Sequence, residues 1–134
     1  MIKISIDKLY PGFATDELIM VYVFGFERLP LPAVPRFQKP TADGVITADF
    51  VNHYSTDIKS AWDVVEEMNK RFSFAINFTG AQWRAMFVPH RTEPPFWFIT
   101  HNFDMPKPEF TAWEDTAPMA ICRSALLAIN EVQK

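Results

Sequence analysis

The sequence predicts an α+β domain in which a three- or four-stranded, mainly antiparallel sheet is sandwiched by helices around an α-β-β-β-α core. Three observations carry this reading. Apolar residues from Ile58 to Met68 recur at steps of three and four; Phe72, Phe74, Ile76 and Phe78 alternate with Ser73, Ala75 and Asn77; and Ile121, Ala125, Ala128, Ile129 and Val132 form a second helical stripe. With 134 residues, 49% hydrophobic and 22% charged, the chain fits a single domain over 1–134. An aromatic content of 15% against a formal charge of -3 leaves too much apolar surface for a disordered chain.

At the N-terminus, Ile2, Ile4 and Ile6 alternate with Lys3, Ser5 and Asp7, the period of a half-buried strand, before Pro11-Gly12 breaks it. Thr15 can then cap a helix over 16–24 that carries Asp16 and Glu17 in its first turn and stops at Gly25. Ile19, Val21, Tyr22 and Val23 favour a strand instead, so both assignments stay open for this segment. From 27 to 53 the chain carries Pro30, Pro32, Pro35 and Pro40, which exclude a long helix and predict a Pro-rich loop with strand character only over 44–51. Leu29, Leu31, Val34 and Phe37 would anchor it to the core.

Tyr54-Ser55-Thr56-Asp57 supplies caps for a helix over 57–70, with Lys59, Asp63, Glu66, Glu67 and Lys70 on its polar face. The alternating strand 72–78 turns at Thr79-Gly80 into a second strand over 82–88, forming a hairpin. A third strand is expected over 96–101, a loop with Pro106 and Pro108 over 104–114, and a closing helix over 117–132 with Pro118 in its first turn. Trp62, Phe74 and Ile121 are expected in the core, where Trp62→Ala would cost about 3 to 5 kcal/mol. Helix, three strands and helix in this order put both helices on one sheet face. The first helix, the long loop or a partner would cover the other.

Three segments resemble a family of small tailed-phage and prophage proteins related to the phage ABA sandwich domain. Asp16-Glu17-Leu18-Ile19 through Val23-Phe24-Gly25-Phe26 is similar to its leading helix, and Tyr54-Ser55-Thr56-Asp57-Ile58 with Ala61-Trp62 and Val64-Val65-Glu66 to its central motif. Thr116-Ala117-Pro118-Met119-Ala120-Ile121-Cys122-Arg123 with Ala125-Leu126-Leu127 is similar to its closing helix. Met20 and Tyr22 depart from the polar residues expected in the leading helix. The resemblance implies a helix–sheet sandwich and a phage accessory product acting in the bacterial cytoplasm. It implies no reaction.

The chemistry-bearing residues are sparse. His53, His90 and His101 are the only histidines, and His101 with Asp104 or His53 with Asp57 forms at best a two-residue pair, with no HExxH or CxxC motif beside it. Cys122 lies on an apolar helix and reads as a buried hydrophobe. Gly12, Gly25, Gly44 and Gly80 are isolated, which excludes a Gly-rich phosphate loop. Tyr54, Ser55, Thr56 and Asp57 could offer an anion a helix N-terminus, although capping explains the same residue types. Arg123 reads more readily as a solvated or salt-bridged helix residue than as an anchor for an anion. Arg71, Arg84 and Arg91 with Trp83 and Trp97 could stack a base or nucleotide, or form a mixed surface over aromatic core.

A sequence pI near 5.5 and an acidic start to the last helix disfavour nucleic-acid binding. The longest apolar run, 18–26, is shorter than the roughly 20 residues that span a bilayer. These features lead to a soluble, cytoplasmic, non-catalytic protein that needs no cofactor or metal. It would bind a host protein or sequester a small anionic ligand, with blunting of host defence as one use. A small hydrolase or nucleic-acid-modifying enzyme using His101 and Asp104 is the alternative. A homodimer joined through Trp83 or Trp97 would cover the second sheet face.

Overall fold

Ile6–Lys8 forms a single 3-10 turn in the computed structural model, which describes residues 2, 5–30, 36–90 and 111–132. This corrects the N-terminal strand. Ile2, Ile6 and Leu9 are all buried, a spacing of three to four that fits a turn better than alternation across a pleat. The next segment is the helix α1, Phe13–Tyr22, whose buried Thr15, Asp16, Ile19 and Met20 decide between the two open assignments. Gly25 sits at a φ of +80°, in the left-handed region, and lets the Phe26 N–H turn back to the Met20 carbonyl at 3.1 Å.

The span expected to be a loop holds a three-stranded antiparallel sheet: β1 (Glu27–Arg28), β2 (Phe37–Thr41) and β3 (Gly44–Ala48), in that order. Pro40 argued against a strand here, yet it lies opposite Val45, where the ladder asks it for no N–H. Phe37 is fully buried and ties this sheet to the core, whereas Leu31 and Val34 lie outside the described residues.

Helix α2 (Ile58–Met68) follows, then β4 (Phe72–Phe78), β5 (Trp83–Pro89) and β6 (Thr111–Glu114), paired antiparallel in that order, and finally α3 (Ala117–Val132). The hairpin registers Phe74 on Phe87 and Phe78 on Trp83. The strand β6 occupies the end of the expected 104–114 loop, and the strand expected over 96–101 lies outside the described residues. The α+β class is as the sequence predicts.

One face of the β4–β5–β6 sheet presents Phe72, Phe74, Phe87, Ala85 and Ala112 to α2 and α3. Helix α3 is the centre of the core. It packs against α1, α2, β5, β6 and the 3-10 turn, and small Ala120, Cys122, Ser124, Ala125 and Ala128 let those elements approach closely. Burying Phe87 completely is worth about 2 to 3 kcal/mol. On the opposite face Met86 and Val88 are buried as well. Trp62, expected in the core, is instead 47% exposed, its ring meeting the edge of Phe74 at 6.0 Å. It sits on the rim of the apolar stripe that Ala61, Val64, Val65 and Met68 bury.

Candidate functional site

Among the described residues a cleft opens where the 3-10 turn meets the start of α3. It measures about 920 Å³ and is lined by residues 7–11, Glu114, Asp115, Thr116, Met119 and Arg123. Arg123 forms its floor. The side chain is carried on the second turn of α3, with only 9% of the residue exposed. Its Nε donates to Glu114 Oε1, one terminal nitrogen to the Ile6 carbonyl, and the other to the Leu9 carbonyl at 2.6 Å. One guanidinium thus fixes the 3-10 turn and the end of β6 against α3. Of the readings the sequence leaves open for this residue, the salt-bridged one is present, through Glu114, and the planar fork also serves two backbone carbonyls of the protein itself.

Around this floor the exposed groups are Asp7, Lys8, Tyr10, Asp115 and Thr116. Tyr10 is 82% exposed, and Phe13, at the start of α1, is 55% exposed. The first turn of α3 opens here too, and its earliest intrahelical bond runs from the Ala120 N–H to the Thr116 carbonyl. Asp7, Lys8 and Asp115 all line the cleft, while Glu114 is paired with Arg123.

The Tyr54–Asp57 segment lies elsewhere and is used internally. The Ser55 hydroxyl accepts from the Gly12 N–H at 2.8 Å, and the Ser55 N–H donates to the buried Asp16 carboxylate at 2.7 Å. Asp57 caps α2, accepting from the Ser60 N–H at 3.1 Å and the Ser60 hydroxyl at 3.0 Å. Those bonds hold its carboxyl below the usual carboxylate range. Tyr54 stacks on Phe24 with ring centroids 5.2 Å apart, and burial raises its phenol above the ordinary value. Thr56 is exposed.

Arg84 and Trp83 are neighbours in sequence but point to opposite faces of β5. Trp83 packs on Phe78 at 5.2 Å, whereas Arg84 lies over Trp113 at 5.5 Å and donates to Asn77 at 3.1 Å. They do not form one stacking platform with each other, and Arg71 sits over Phe72 instead. Trp97, Arg91, His101 and Asp104 lie outside the described residues. Cys122 is completely buried, and burial with Asp16 nearby pushes its thiol well above the ordinary value, which makes it a poor nucleophile. Among the described residues no helix is long and apolar enough to cross a membrane.

Sequence reasoning did not find the cleft. Its only trace was Arg123 standing inside an otherwise apolar run, Ile121-Cys122 before and Ala125-Leu126 after, where a charge must be paired to be buried. The carbonyls that pair it come from 114 and 117 residues earlier in the chain, so no local pattern reveals them.

A phage protein from Bacillus cereus ATCC 14579, known from a 2.0 Å crystal structure, has a similar fold, with a TM-score of 0.59 at 21% sequence identity. The likeness covers 95% of this chain and 99% of that one. No curated protein matches the sequence. The family model of the phage ABA sandwich domain matches residues 34–126, from the Pro-rich segment through α2 and the second sheet into α3. By that match, which takes in well over half its length, the chain belongs to the phage ABA sandwich domain family.

Proposed function

We propose that this phage protein is a non-catalytic binding protein that holds a segment of a bacterial host protein in the cleft between the 3-10 turn and the start of α3. The observation that carries this reading is the pairing of a rigid floor with an exposed aromatic rim. Arg123 is held beneath the cleft by Glu114 and the Ile6 and Leu9 carbonyls, while Tyr10, also in the lining, stands 82% exposed. An exposed aromatic on a fixed scaffold gives contact area at small entropic cost, which is how protein interfaces are anchored. The carboxylates of Asp7 and Asp115 suit a partner segment carrying lysine or arginine.

Capture from bacterial lysate on the immobilised protein, followed by titration of the identified partner in pure form, tests this. Tyr10→Glu should weaken binding at least tenfold, and Val132→Glu, at the far end of a helix about 24 Å long, should leave it unchanged. Equal binding by wild type and Tyr10→Glu would reject the cleft.

A second reading, sequestration of a small anion, draws support from Lys8 and the first-turn N–H groups of α3 opening into the same cleft. Thermal shift against a nucleotide panel separates the two, since only the anion reading expects a rise in melting temperature. Hydrolysis of a generic ester or nucleotide by the pure protein, abolished by His101→Ala, would replace both with the enzymatic alternative.

A further inference from the structure

We propose that β3 is a self-pairing edge, joining two copies of the chain by an antiparallel β3–β3 ladder about a two-fold axis through Ile46. Among the described residues β3 is hydrogen-bonded within its sheet to β2 alone, and residues 41–47 are all exposed. The direction of its free groups follows from the register. The Leu29 N–H donates to the Arg36 carbonyl at 2.8 Å, so Arg36 and Gln38 turn their bonding groups toward β1. Pro40, without an N–H, lies opposite Val45, and Gln38 opposite Thr47. By alternation Val45 and Thr47 therefore point their N–H and C=O away from β2, into solvent.

The sequence Gly44-Val45-Ile46-Thr47-Ala48 lacks the usual guards of an open edge, with no lysine, proline or other charge in it. Val45 is 62% exposed, Ile46 51%, and Phe50, just beyond the strand, 74%. A second copy fits this edge better than an unrelated strand because the edge is its own complement. With the axis at Ile46, Val45 of each chain exchanges both backbone bonds with Thr47 of the other, and the two Ile46 side chains meet. Asp43 then falls opposite the Asp49 of the other copy, whose carboxylate pairs with its own Arg36 at 3.2 Å. This interface is separate from the cleft, and failure of either reading leaves the other standing.

Light scattering during size-exclusion chromatography should give twice the 15.5 kDa chain mass for the wild type. Ile46→Lys and Thr47→Pro should each return it to 15.5 kDa with unchanged circular dichroism, since neither residue gives β2 a backbone N–H or a buried side chain that the change removes. An Ile46→Cys variant should oxidise to a covalent dimer. A non-hydrogen-bonded antiparallel pair places Cα atoms about 4.5 Å apart, within disulfide range. Glu66→Cys, exposed on α2, should not crosslink, and buried Cys122 does not compete. A wild-type mass of 15.5 kDa at the highest soluble concentration, a dimer that survives Ile46→Lys, or equal crosslinking by the two cysteine variants would overturn the proposal.

Discussion

Arg123 shows how one side chain can decide a local architecture. It is buried because it satisfies two backbone carbonyls and a carboxylate at once, and each of them would lose a charge-assisted hydrogen bond if the guanidinium went. Arg123→Met should therefore cost about 3 kcal/mol in urea unfolding, the usual loss when one half of a buried pair is removed. Arg123→Lys should recover little, because a single ammonium cannot span a fork of three acceptors. Asp57 predicts a pH dependence instead. Its depressed carboxyl means that its stabilising cap is fully present above the ordinary carboxylate pKa of about 3.9 and is lost as pH falls through the lower native value. Asp57→Asn keeps an acceptor oxygen but no charge, so wild type should lose stability relative to this variant on acidification below about pH 4. A constant difference between them across that range would contradict the assignment. Trp62 and Phe87 make a third contrast. The half-exposed Trp62 should lose only about 1 kcal/mol on truncation to Ala, against about 3 to 5 kcal/mol for the enclosed Phe87.

Elements with one dominant periodicity were legible in the sequence, and those whose residues serve two purposes were not. The stripe on α2 and the alternation along β4 gave both elements to within a residue or two, because one face of each meets the core and the other meets water. Helix α1 was ambiguous because β-branched Ile19, Val21 and Val23 contradict helix propensity, and tertiary burial of Ile19 and Met20 overrode it. The first sheet was hidden by its prolines, since a single sequence does not show which strand positions face away from the ladder. Of the residues the sequence singled out for binding, Asp57 had a capping role that was readable from residue type alone. The cleft floor was not, because it depends on contacts between the two ends of the chain. Gly25 is the hinge between α1 and the first sheet. Gly25→Ala, forced to a φ of +80°, should destabilise the chain by about 1 kcal/mol, measured as a lower urea midpoint with unchanged slope.

At the scale of the molecule, α3 runs through the centre and presents its first turn, with β6 and the N-terminal turn, to solvent at one end. The fold thus places a cleft of mixed polar and apolar lining at that end, while the first sheet and the residues just beyond it carry exposed Val45, Ile46 and Phe50 apart from the main helix–sheet contacts. Membership in a phage family with the same sandwich accounts for the architecture and leaves the ligand to be read from these surfaces. The most direct test is hydrogen–deuterium exchange of the protein alone and saturated with its purified partner. Slower exchange is predicted at residues 6–10 and 114–117, where the cleft is lined, with the β4–β5 hairpin unchanged. Protection confined to the hairpin, with the cleft exchanging as in the free protein, would contradict it.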